Sequence, residues 1–159
     1  MRIIAGRFRG RPLTPVGKGD RGAHLRPTSD RVREALFSMI EARMDLDGVR
    51  VLDLFAGTGA LGLEALSRGA AHVTFVENGR IGAGLTRANI EKLGVDGADV
   101  LTIDARKLPH AAAPADLIFL DPPYGKNLGA PALTSALAQG WIGSTSLIVW
   151  EEAAPQTLA

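Results

Sequence analysis

The stretch VLDLFAGTGALGL at residues 51–63 constrains the fold of this 159-residue chain more than any other. An apolar run carrying one acid leads into a glycine-rich turn, and an apolar helical pattern opens directly after it. Two more units of the same kind follow. The pattern predicts strands at 49–55, 72–77, 99–104, 115–121 and 146–150, with helices at 60–68, 81–93 and 129–138. Apolar strands alternating with amphipathic helices imply α/β architecture, a mostly parallel sheet covered on both faces in three layers. In such sheets ligands sit beyond the carboxyl ends of the strands. Asp53, Glu77, Asp104 and Asp121 all fall at or near those ends. Packing alone does not explain four acids on one rim.

Before residue 49 the pattern differs. Residues 1–12 alternate loosely, with Ile3, Ile4 and Phe8 apolar and glycines at 6 and 10, which reads as a short hairpin or arm. Residues 14–27 are rich in glycine, proline and charge and read as a loop. Thr28 or Ser29 then caps a helix with Val32, Leu36, Phe37, Met39 and Ile40 on one face. Residues 1–33 hold nine basic side chains against two acidic ones, a balance of +7, whereas the remaining 126 residues balance to −6. Eight of the nine are arginine, the side chain that forks onto phosphates and stacks on bases. A basic arm (residues 1–26) on an acidic body (27–159) points to a polyanionic partner. Arg7, Arg9, Arg11, Arg26 and Arg31 are the candidate phosphate contacts.

The chain has no cysteine, which excludes disulfides, thiolate zinc sites and cysteine nucleophiles and fits a reducing cytoplasm. No apolar run reaches the roughly 20 residues that span a bilayer, and the first residues carry no leader pattern. His24, His72 and His110 are scattered and read as surface or turn residues, so no metal is expected. Trp141 and Trp150 lie among apolar neighbours and read as core.

Gly57-Thr58-Gly59-Ala60-Leu61-Gly62 satisfies G-x-G-x-x-G, and Glu77 follows at a distance suited to ribose hydroxyls. An acid at position 53, just ahead of the loop, is unwelcome to a pyrophosphate but suits a cationic ligand. S-adenosylmethionine carries an ammonium and a sulfonium, with a carboxylate that a helix N-terminus can hold. Asp121-Pro122-Pro123-Tyr124 supplies the complementary chemistry. Each proline fixes φ and removes a donor, so a rigid corner sets a carboxylate, a carbonyl and an aromatic face side by side. That suits a planar substrate with an amino group at its edge.

The run from Asp53 to Ala70, DLFAGTGALGLEALSRGA, resembles the first motif of class I S-adenosylmethionine-dependent methyltransferases, which have a Rossmann-like fold. The resemblance implies that Asp53, Phe55, Gly57 and Gly59 form the cofactor loop. It also implies that Glu77, with Asn78 beside it, takes the ribose and that Asp104 and Ala105 read the adenine, with Asp121 closing the site. Acid-Pro-Pro-aromatic resembles the signature of methyltransferases acting on exocyclic or amide nitrogens. RIIAGRFRGR at 2–11 and RPTSDRVREALF at 26–37 then look like the RsmD family, over residues 1 to about 152. That likeness implies methyl transfer to the exocyclic N2 amine of a guanine in 16S ribosomal RNA, by a monomer. Asp121, Pro122, Pro123 and Tyr124 would hold the flipped base, and the N-terminal arginines would hold RNA. The family runs on into two further strands, so a sheet without that pair is expected here, its last strand near an open edge. Adenine or cytosine in nucleic acid and a protein glutamine amide are alternative targets. A nicotinamide-dependent oxidoreductase and a non-catalytic RNA-binding module are readings from other classes.

Overall fold

The computed structural model describes residues 1–15, 29–123 and 125–151. Within them the chain runs α1 (Asp30–Glu41), β1 (Arg50–Leu54), α2 (Ala60–Ser67), β2 (His72–Val76), α3 (Arg80–Leu93), β3 (Ala98–Leu101), β4 (Ala115–Leu120), α4 (Gly129–Ala138) and β5 (Ile142–Trp150). The five strands form one sheet in the order β3-β2-β1-β4-β5. Every pairing is parallel. The chain builds outward from β1 to β3, then crosses back to lay β4 on the other side of β1. The order therefore reverses between β1 and β4, the topological switch point where open α/β sheets bind ligands. Leu54 stands level with Val76 on one side and Leu120 on the other. Glu77, Phe55 and Asp121 consequently leave three neighbouring strands at one height.

Strand alternation divides the core. Leu117 and Phe119 face α1–α3, where they join Ile3, Leu13, Phe37, Ile40, Leu63 and Phe75. Ile118 and Leu120 face the opposite layer with Leu52, Leu54, Val76, Ala132, Ala136 and Trp141. Trp141 is core, its indole N–H donating to the Pro109 carbonyl at 2.9 Å. Trp150 ends β5, one of the two edge strands of this sheet, and is half-buried. His72 opens β2, within the expected strand, and meets Asp99 across the strand pair at 2.8 Å.

The sequence of α2, ALGLEALS, has no polar face, and all of Ala60 and Gly62–Ser67 is buried. Such a helix needs cover on both sides. The sheet supplies one; residues 1–13 supply the other. They form a small hairpin closed by an antiparallel bridge between Arg2 and Pro12. The Arg7 amide donates to the Ser67 carbonyl at 2.8 Å, and the Phe8 amide to Ser67 Oγ at 2.9 Å. Gly6 is required at this contact: a Cβ there would lie 2.0 Å from the Ser67 carbonyl oxygen.

Helix α1 corrects the expected face. Ser29 caps it, accepting from the Val32 amide at 3.2 Å. Val32 and Met39 are exposed, and the buried stripe is Arg33, Phe37 and Ile40. The reason is Glu64, fully buried on α2. Its carboxylate accepts from the amides of Ile4 and Ala5 at 2.9 and 3.1 Å, from Arg33 Nε at 3.3 Å and from Arg68 Nε at 2.9 Å. Arg33, one of the nine basic residues of 1–33, thus turns its charge inward.

Candidate active site

The turn after β1 carries the site's backbone. Phe55 adopts a left-handed φ of 63°, costly for a residue with a side chain. Gly57 and Gly59 follow at 60° and 82°. Gly62 serves packing, since a Cβ there would stand 2.4 Å from the Phe75 ring. Together these glycines bring the N-terminus of α2 down onto the sheet rim.

Asp53 is 1% exposed and accepts from the Gly62 amide at 3.1 Å, satisfying one orphan donor of α2. Burial pushes its carboxyl from the ordinary 3.8 up to about 8. The Gly62 hydrogen bond opposes that shift, while the nearby charges of Asp121 and Glu77 add to it. The rim is therefore an electrostatic conflict among three acids, one that a cation would relieve.

Glu77 is buried at the end of β2, and its two oxygens accept from the Gly57 and Gly79 amides at 3.1 and 2.9 Å. An ionised carboxylate has about four acceptor positions, so two remain for hydroxyl donors. Gly82 on α3 must be small because Glu77 lies against it; a Cβ would come within 2.9 Å. Asn78, next to Glu77, is exposed. Asp104 lies three residues beyond β3, and Arg106 clasps its carboxylate at 2.7 Å. That guanidinium holds the Asp104 carboxyl below its ordinary range. Ala105 is buried beside it.

After β4 the chain enters Asp121-Pro122-Pro123, with Asp121 half-buried and Pro122 buried. The fold thus gathers Asp53, Phe55, Gly57, Gly59, Glu77 and Asp121 around the switch point, with Asp104 and Ala105 along the rim toward β3. Tyr124 and Arg26 lie outside the described residues. Arg7, Arg9, Arg11 and Arg31 are exposed on the hairpin and α1. Arg7 and Arg11 flank the Phe8 ring at 4.5 and 5.9 Å. Among the described residues no acid or histidine cluster suits a metal ion, and no helix is long and apolar enough to cross a membrane.

Two further residues shape the loop. On α3, the Thr86 hydroxyl donates to the Gly57 carbonyl at 2.7 Å, and Asn89 Nδ2 donates to the Thr58 carbonyl at 2.9 Å. Both side chains are fully buried. Their spacing of three places them on the face of α3 that meets the loop. As neutral polar residues inside a helix, they give little signal in sequence.

The pattern of the family described as Conserved hypothetical protein 95 matches residues 1–159. Ribosomal RNA small subunit methyltransferase D of Escherichia coli is 39% identical over 153 residues, covering 95% of this chain and 74% of that one. The solved structure of yhhF from Escherichia coli superposes with a TM-score of 0.81 at 35% identity, covering 100% of this chain and 86% of the other. A tRNA (guanine(6)-N2)-methyltransferase of Thermus thermophilus is 34% identical over 100 residues, 60% of this chain and 28% of that one. Family and fold imply S-adenosylmethionine as cofactor, and the donor set fits it. Buried acids suit a ligand that carries positive charge, and a carboxylate with open acceptor positions suits one that carries hydroxyl donors. With motif, fold and full-length match in agreement, the chain belongs to the Conserved hypothetical protein 95 family, the RsmD group of methyltransferases.

Proposed function

We propose that this protein transfers a methyl group from S-adenosylmethionine to the exocyclic N2 amine of a guanine in 16S ribosomal RNA. One observation carries the reading: the acid-Pro-Pro corner after β4 sits across the sheet's switch point from the glycine loop after β1. Cofactor cradle and amine-binding corner therefore share one rim. The name of the Escherichia coli relative supports small-subunit ribosomal RNA, and that of the Thermus relative supports guanine N2.

Bound S-adenosylmethionine supplies an electrophilic methyl group; the residues supply orientation. The lone pair of a guanine amine is delocalised into the ring, which makes it a poor nucleophile. Asp121 and the Pro122 carbonyl each accept one N–H of that amine, favouring a pyramidal nitrogen whose lone pair points into the cofactor site. The Asp121 carboxylate also stabilises the positive charge that develops on nitrogen. Tyr124 stacks on the extruded base. Glu77 takes the ribose of the cofactor, and Asp104 with the Ala105 amide takes the adenine once Arg106 yields the carboxylate. Arg7, Arg9, Arg11, Arg26 and Arg31 contact RNA phosphates.

The test is nucleoside analysis by mass spectrometry. 16S ribosomal RNA from cells lacking this activity is incubated with the protein and S-adenosylmethionine carrying a labelled methyl group. N2-methylguanosine carrying the label is expected. Label on adenosine or cytidine, or on none, refutes the reading.

A further inference from the structure

The Asn89 side chain makes three hydrogen bonds, and they join two parts of the proposed machinery. Its Oδ1 accepts from the Thr14 amide at 2.6 Å. Its Nδ2 donates one hydrogen to the Thr14 carbonyl at 3.0 Å and the other to the Thr58 carbonyl at 2.9 Å. Thr14 is the exit of the basic hairpin; Thr58 lies between the two glycines of the cofactor loop. A second contact runs in parallel, the Thr58 hydroxyl reaching Met1 Sδ at 3.8 Å. Met1 and Leu13 are themselves tied, the Leu13 amide donating to the Met1 carbonyl at 2.9 Å. Both ends of the hairpin thus close on the same loop residue.

The chemistry of this clip is specific. Among side chains of this size only a primary amide accepts once and donates twice in one plane. The amide is fully buried, so each bond lost leaves a buried polar group without its partner. Aspartate would set its carboxylate against two carbonyl oxygens, and leucine would leave the Thr14 amide and both carbonyls unmet.

Resting on the RNA-methyltransferase reading above, we infer that Asn89 is a positioning residue that couples the cofactor loop to the RNA-contacting hairpin. Ligand on the loop fixes the Thr58 carbonyl. Through the amide this fixes Thr14 and, with it, the hairpin that carries Arg7, Arg9 and Arg11. Ordering one anchor lowers the cost of ordering the other, so cofactor and RNA each favour binding of the other by the same factor.

The test measures that factor. The dissociation constant for a 16S ribosomal RNA transcript is determined by fluorescence anisotropy with and without saturating S-adenosylhomocysteine. Wild type is expected to bind RNA about fivefold or more tightly with the nucleoside present, the lower end of typical coupling. Asn89→Leu breaks the clip from α3. Thr14→Pro breaks it from the hairpin, by deleting the amide that Asn89 accepts from. Each is expected to bring the ratio close to one in protein that still melts cooperatively. Arg7→Ala weakens RNA binding in both states and keeps the ratio. A residue that only stabilises the fold lowers melting temperature and both affinities but leaves the ratio alone. An unchanged ratio in the two clip variants, or a ratio of one in wild type, overturns the inference while leaving the RNA-methyltransferase reading intact. A wild type that binds no RNA in either state overturns both.

Discussion

Asp53 is the residue at which stability and function oppose each other. Its carboxyl titrates near 8 in the folded chain and at the ordinary 3.8 when exposed. A carboxyl whose folded value is raised binds its proton more tightly in the native state. Its stabilising influence is therefore complete below the unfolded value and is lost as pH climbs toward 8. Asp53→Asn removes this penalty and keeps an oxygen for the Gly62 amide. The variant is expected to melt higher than wild type at pH 8.5, with the difference shrinking toward zero as pH falls below 3.8, in calorimetric scans without ligand. It is also expected to gain no stabilisation from S-adenosylmethionine. A second consequence concerns protons. At pH 6.5 Asp53 is protonated in the free protein, and a cationic ligand favours its carboxylate, so binding should release a proton. The binding enthalpy of wild type is then expected to vary with the ionisation enthalpy of the buffer, and tightening is expected as pH rises toward 8. Equal enthalpies across buffers would remove Asp53 from the cofactor site.

At the scale of elements, α2 orients the molecule: its N-terminus faces the cofactor loop, and its last turn anchors the basic hairpin through Glu64 and Ser67. Glu64→Gln removes the fully buried carboxylate facing Arg33 Nε and Arg68 Nε, leaving Arg33 only the partly exposed Asp30, 2.9 Å away. Breaking such a buried pair typically costs about 3–5 kcal/mol, and urea unfolding is expected to show a loss of about 3 kcal/mol or more. An unchanged midpoint would mean that the hairpin holds α1 and α2 without this carboxylate. The hairpin's outer face makes a separate prediction. If about five arginines neutralise phosphates, log K against log salt has a slope of about −3.5 to −4.5. Replacing Arg7, Arg9 and Arg11 with alanine should flatten it by about 2 to 3 units across RNA sequences. An unaltered slope in a salt titration would show those arginines to be merely solvated. The order of strands and helices was legible in sequence because apolar runs, glycine loops and helical periods are local signals. The inner face of α1 was not. Arg33 reads as surface until Glu64, 31 residues away, is brought against it. Asn89 was hidden for the same reason, its partners Thr14 and Thr58 lying 75 and 31 residues distant.

For the whole molecule, the reversal of strand order between β1 and β4 converts two separate motifs into one site. Asp53 and Asp121 are 68 positions apart in sequence, yet they stand close enough for one charge to raise the other's pKa. Sequence placed the acids on one rim; the sheet order shows that Asp53 in β1 and Asp121 just past β4 belong to adjacent strands. On the proposed function the acidic body holds a cationic cofactor, and the basic hairpin offsets its repulsion of RNA. On the proposed function this rim catalyses amine methylation, with Asp121 acting on the substrate rather than on the cofactor. Single-turnover methyl transfer to 16S ribosomal RNA by Asp121→Ala tests it most directly, with S-adenosylmethionine affinity measured alongside. Affinity is expected within a few-fold of wild type and the rate lower by about 10² or more, the scale of losing one transition-state hydrogen-bonding group. A near-normal rate would contradict that role for Asp121.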